Sequence, residues 1–150
     1  MRDKMTGEIA AYRLFDMGYD CCQTVLSYCA EDLGMDEEDA LRLASGFSGG
    51  LHIGEVCGCV AGAAMALGLK YGVHEPNDEI GKSIIKAKTD EFMRRFIEEN
   101  GALRCKELLG HDVSIPEEKA KVAEEGIIQK KCPGFVCSAC KILDDLLNVN

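Results

Sequence analysis

The sequence predicts an all-α protein: a single compact multi-helix domain over residues 1–150, built around a central helix rich in glycine and alanine. Three observations predict it. Apolar residues recur three and four positions apart through most of the chain, the period of a helix with one buried face. Stretches of alternating polarity, which would read as half-buried strands, are hard to find. Only three prolines interrupt 150 residues, so few positions forbid a helix. At 47% hydrophobic and 29% charged residues the composition is that of a globular protein, and the length suffices for a core that needs no disulfide or metal to support it.

The first helix is expected from about Thr6 to Met17, with Ile9, Ala10, Leu14 and Met17 on one side and Gly18 at its end. A second runs from about Asp20 to Leu33, burying Val25, Leu26, Cys29 and Leu33, and is closed by Gly34. Asp36 reads as the N-cap of a short third helix through Leu41 and Leu43. The following FSGGLHIGE is too rich in glycine for regular structure and reads as a loop.

VCGCVAGAAMALGLKYG is a run of apolar and small residues, shorter than the roughly 20 residues needed to span a bilayer, and is expected to be a buried core helix. Gly58, Gly62, Ala63 and Ala66 leave one of its faces without bulk, so that a neighbouring backbone, a compact cofactor or a second copy of the chain in a homodimer could approach closely. A long amphipathic helix follows from about Asp78 to Asn100, with Ile80, Ile84, Ile85, Phe92, Phe96 and Ile97 turned inward and Gly101 as its stop. A short helical piece begins near Cys105 and stops at Gly110, and Pro116 opens an acidic helix that ends by Gly126. The last helix is placed after Cys132, with Pro133 in its first turn, and runs through Val136, Ala139, Ile142, Leu143 and Leu146.

A net charge of -9 works against phosphate backbones and anionic lipid surfaces, which attract basic proteins, so neither nucleic acid nor membrane is an expected partner. The first residues carry Arg2, Asp3, Lys4, Glu8, Arg13 and Asp16 without a continuous apolar stretch, which is unlike a signal peptide or an anchor. The expected location is cytoplasmic. Nine cysteines in a reducing compartment argue against a disulfide framework, and an odd number cannot all pair within one chain. Metal ligation or thiol redox chemistry remains.

On this helix map Cys21, Cys57, Cys105 and Cys132 each fall at or near a predicted helix N-terminus. Free backbone N–H groups and the positive end of the helix dipole favour a thiolate there. Thiolates bind metals and attack disulfides. Four of them, from four separate elements, could converge on one tetrahedral zinc or on an iron–sulfur cluster.

The segments GYDCCQTVL around Cys21, GEVCGCVAGAAMALGLKYG around Cys57, CKELLG around Cys105 and CPGFV around Cys132 together resemble the redox-active protein family named for its spaced pattern of Cys, a GCAxxG-type motif, Cys and Cys. The resemblance covers nearly the whole chain. It implies four characteristic cysteines in this order and a redox role. A further likeness, to a domain of split-Soret multihaem cytochromes, implies an iron–sulfur cluster as the group they hold. The chain lacks C-x-x-C-H, so covalent haem is not expected. It departs from the family pattern at Cys59, where the motif has alanine, and at Cys22, directly after Cys21. Either could substitute as a ligand or act as a resolving thiol.

Cys132, Cys137 and Cys140 have the C-x4-C-x2-C spacing of plant-type ferredoxins, but they fall on a predicted helix, where sulfur also packs as a small hydrophobe. Cys29, among Val25 and Leu33, reads as a core residue. His52 lies in the glycine-rich loop near Cys57 and is the one histidine placed to reach a metal there; His74 and His111 sit beside turns. Glu55 could orient a ligand or accept a proton, or be an ordinary exposed loop carboxylate.

No Ser-His-Asp arrangement, phosphate loop or HExxH motif is visible, so the sequence names no substrate and leaves open whether the protein is an enzyme. Three functions are consistent with it. The first is electron transfer or redox sensing through a four-cysteine iron–sulfur site with a redox partner protein. The second is a metal-free thiol–disulfide oxidoreductase using neighbouring cysteines such as Cys57 and Cys59. The third is a structural or interaction module stabilised by zinc.

Overall fold

The computed structural model describes Ile9 and residues 12–148. The helices that build the molecule are α1 (Cys21–Ala30), α2 (Glu37–Ala44), α3 (Gly58–Tyr71), α4 (Glu79–Asn100), α5 (Cys105–Leu109), α6 (Pro116–Glu124) and α7 (Ile127–Leu146). Among the described residues there is no strand, only an isolated antiparallel bridge between Val56 and Arg104. The protein is all-α. Of the helix expected before Gly18, residues 12–16 are helical, Ile9 and Met17 are exposed, and Thr6 and Ala10 lie outside the described residues.

Local chemistry explains the starts of α1 and α2. Asp20 accepts from the Gln23 N–H at 3.1 Å while the Gln23 side chain accepts from the Asp20 N–H at 3.2 Å, a reciprocal cap that satisfies two otherwise free donors. The Gln23 amide also donates to the Leu41 carbonyl at 3.0 Å, tying α1 to α2. Asp36 caps α2 by accepting from the Asp39 N–H. The side of α2 that turns inward is the one carrying Ala40 and Ala44; Leu43 is exposed.

The centre of the molecule is the pair α1 and α3, with α2 and α7 against α1, and α4 and α7 against α3. Val25, Leu26, Leu67, Phe92, Phe96, Ile142 and Leu143 are fully buried there, and each large apolar side chain removed from water contributes about 1.5–3 kcal/mol. Phe92 and Phe96 stack with ring centroids 5.8 Å apart. The end of α3 also closes the end of α7: Lys70 donates to the Leu147 carbonyl and Tyr71 to the Leu146 carbonyl, two acceptors that a helix terminus leaves free.

Two expectations are corrected. Ile80, Ile84 and Ile97 are not inward but exposed, at 78%, 45% and 43%. Helix α4 outruns its neighbours. α7 ends beside it where Arg95 pairs with Asp145, and α3 ends where Lys88 stacks over the Tyr71 ring, so neither helix covers Ile80 and Ile84 in the first turns of α4. The last helix does not begin after Cys132. It starts at Ile127, directly after Gly126 in the left-handed region at φ 63°, and carries Pro133 in its interior. A proline there has no N–H for the carbonyl four residues back, a cost that the packing of Val136, Ala139, Ile142 and Leu143 offsets.

The small face of α3 is occupied within the chain. A Cβ at Gly58 would collide with Cys21 Sγ and lie 3.0 Å from the Cys22 backbone nitrogen, and one at Gly62 would lie 3.0 Å from the Cys22 carbonyl oxygen. Ala63 and Ala66 are fully buried. This face therefore seats α1 and is not free for a second copy. Gly58→Ala is expected to destabilise the protein by about 1–3 kcal/mol through overpacking. Gly68→Ala, which meets nothing within 4 Å, is expected to stabilise by about 0.5–1 kcal/mol through helix propensity. Urea denaturation of the two variants measures both, and equal effects of the same sign would contradict this account of α3.

Candidate functional site

Four segments deliver the cysteines. The Asp20–Gln23 cap fixes Cys21 as the first residue of α1. Cys57 is the N-cap of α3, its N–H donating to the Leu103 carbonyl at 2.8 Å, while the N–H of Cys105, first residue of α5, donates to the Glu55 carbonyl at 2.7 Å. Those two bonds flank the Val56–Arg104 bridge and set Cys57 beside Cys105. Glu55 reinforces the pairing through Lys106 at 3.2 Å and Arg104 at 3.8 Å. It is a half-buried structural carboxylate, not an exposed one.

Cys132 arrives from the interior of α7 and so gains nothing from a helix start. It nevertheless faces the other three. Cys21, Cys57, Cys105 and Cys132 all line one open cavity of about 300 Å³, whose walls include Phe15, Leu108, Ile128 and Phe135. The sequence reading did not find Ile128 and Phe135. Once α7 is known to begin at Ile127, their spacing to Cys132 places all three on one helical face.

A tighter group spans the cavity wall. The sulfurs of Cys21, Cys57 and Cys59 are all within 4.8 Å of one another. Cys59 is fully buried and does not line the cavity. The remaining cysteines stand apart. Cys22 is fully buried against Gly58 and Gly62, and Cys29, Cys137 and Cys140 belong to the hydrophobic core. The ferredoxin-like spacing therefore sends only Cys132 to the cavity. His52 is exposed at φ 64° and His74 is exposed; neither lines the cavity, nor does His111, which lies 3.8 Å from Glu118.

One thiol in this group is set apart electrostatically. Cys21 is held well below the usual thiol range because the Cys57 and Cys59 thiols donate to it, helped by the backbone N–H groups of Gly49 and Cys22 and opposed by burial. The Gly49 donor was missed in the sequence, where the glycines of this loop signalled only irregular backbone; Gly49 in fact turns left-handed at φ 61°. Donation to Cys21 pushes Cys57 and Cys59 upward. Burial pushes Cys105 up to about 11 and Cys22 and Cys132 up to about 12, with the Cys21 charge adding to each. The site thus favours a thiolate at Cys21 over one at any of its neighbours.

Fold and site together define an all-helical protein with a cluster of cysteines near its core. The family model described as "Putative redox-active protein (C_GCAxxG_C_C)" matches residues 19–146. The chain belongs to that family. No curated protein and no solved structure matches it.

The raised thiols predict how stability of the reduced, metal-free chain depends on pH. Unfolded thiols ionise near pH 8.5, whereas Cys105, Cys22 and Cys132 keep their protons in the folded state to about 11, 12 and 12. Above that unfolded value the native state binds more protons, so stability is full below about pH 8.5 and falls as pH rises, by up to about 1.4 kcal/mol per pH unit for each thiol. Cys21, lowered on folding, contributes in the opposite sense: its stabilisation is present at alkaline pH and is lost as pH falls through its folded value. Denaturant midpoints measured from neutral to alkaline pH should decline accordingly, and a flat profile would mean that these thiols ionise in the native state as they do in the unfolded chain.

Proposed function

We propose that this chain is a redox protein that holds an iron–sulfur cluster on Cys21, Cys57, Cys105 and Cys132 and uses it for electron transfer or redox sensing. The observation that carries this reading is that four cysteines far apart in sequence line one cavity. The donor set suits the group, because sulfur-only ligation selects iron–sulfur clusters, zinc or monovalent copper over hard cations. The space favours a cluster over a single zinc ion. A cavity of about 300 Å³ is roughly ten times the 30 Å³ share of a water molecule in the liquid, more than one tetrahedral ion fills. Bound there, a cluster would supply one-electron chemistry without bond-making on a substrate.

The chain's own groups fit the task. The N–H groups of Gly49 and Cys22 stabilise negative charge at Cys21. Phe15, Leu108, Ile128 and Phe135 give the cavity apolar walls, which limit water around the sulfurs and thereby bear on the potential. The acidic balance of -9 suits a redox partner protein with a basic docking face. No helix among the described residues is long and apolar enough to cross a membrane.

The test is metal and acid-labile sulfide analysis, with a visible spectrum, on protein purified without oxygen. Stoichiometric iron and sulfide are expected, with loss of both in the single Cys→Ser variants at 21, 57, 105 and 132 and retention in Cys137→Ser, a core position. Zinc without colour would point instead to a structural module. Absence of any metal, with the four variants unchanged, would sink the cluster reading.

A further inference from the structure

The cluster reading uses four cysteines and leaves Cys59 without a task. Three facts about Cys59 stand together: its sulfur is within 4.8 Å of both Cys21 and Cys57, the residue is fully buried, and it does not line the cavity. Cys21 does line the cavity and is partly exposed. A small reagent in the cavity therefore meets Cys21 and not Cys59, while Cys59 can meet whatever forms on Cys21.

The geometry points to Cys59 as a resolving thiol: in the metal-free protein, Cys21 takes up a small neutral disulfide from the cavity, and Cys59 displaces it to close a Cys21–Cys59 disulfide between α1 and α3. In the first step the Cys21 sulfur, its proton given to solvent, attacks one sulfur of the small disulfide. The reagent's S–S bond breaks, one thiol leaves, and a mixed disulfide remains on Cys21. In the second step Cys59, also losing its proton, attacks Cys21 Sγ and expels the second thiol. Two protein thiols are oxidised by two electrons, and one small disulfide is reduced to two thiols.

Cys59 is better placed for the second step than Cys57. Displacement at a disulfide sulfur wants the entering and leaving sulfurs on opposite sides of the atom attacked. The leaving group on Cys21 occupies the cavity, which Cys57 also lines and the fully buried Cys59 does not. Closing from within 4.8 Å to a bond of about 2.05 Å is a movement of side-chain scale. Once closed, the bond withdraws Cys21 from any metal.

The proposal does not depend on the cluster. Reduced, metal-free protein is mixed without oxygen with bis(2-hydroxyethyl) disulfide, the released thiol is counted, and the cross-link is located by peptide mapping. Wild type is expected to release two thiols per disulfide consumed and to yield a Cys21–Cys59 cross-link. Cys59→Ala and Cys59→Ser, two substitutions of similar size, are expected to lose that cross-link and retain the adduct on Cys21. A Cys21–Cys57 cross-link in wild type, an adduct persisting equally in all three proteins, or no reaction at Cys21 would each overturn it. Iron and sulfide content after anaerobic reconstitution separates the two readings. Both Cys59 variants should match wild type, and loss of iron in them would make Cys59 a ligand and not a resolving thiol.

Discussion

The structure depends on one close approach. Helices α1 and α3 meet where α3 has no side chains, with Gly58 under Cys21 and Gly62 under the Cys22 carbonyl. A single methyl group at Gly58 would enter the space of the Cys21 sulfur. Without that contact the two helices would separate, and the sulfurs of Cys21, Cys57 and Cys59 would not share one enclosure. The glycines thus serve packing and site together, because the atoms that replace their missing side chains are those of the cysteine segment.

The same enclosure imposes an electrostatic choice. Burial makes each thiolate costly, and like charges side by side make a second more costly than the first. The fold resolves this by aiming its donors at Cys21: two thiols and two backbone N–H groups point to it and lower it, while the surrounding thiols are raised. A thiophilic metal would change the balance by adding positive charge, so binding and proton release are coupled in such a site. The bridge at Val56 and Arg104, with Glu55 held by Lys106 and Arg104, keeps Cys57 and Cys105 in register before any ligand arrives.

Much of the fold was legible because its signals are local. The helix start at Asp20, the cap at Asp36 and the left-handed stops at Gly34, Gly101 and Gly110 depend on neighbours a few residues away, and each lies where the pattern placed it. The errors came where a local signal met a distant one. Pro133 read as a helix start, but the face carrying Val136, Ala139 and Ile142 is held firmly enough in the core for α7 to run through the proline. The isoleucines of α4 read as core by their period. Whether a partner exists to cover Ile80 and Ile84 depends on where α3 and α7 end, which no window of sequence contains.

The sequence by itself determined the helical class, most helix boundaries, the net acidic charge and the likeness to the family, because composition, period and motif are properties of the chain read in order. Only the tertiary structure decided that Cys132, from mid-helix, completes the cavity wall, that Cys59 lies close to Cys21 and Cys57 without lining the cavity, and that Cys137, Cys140 and His52 do not line it. The physical reason is that a site made from separate helices is fixed by crossing and rotation about each axis. Those follow from packing across the core, where the contact of Gly58 with Cys21 outweighs any preference either residue has alone.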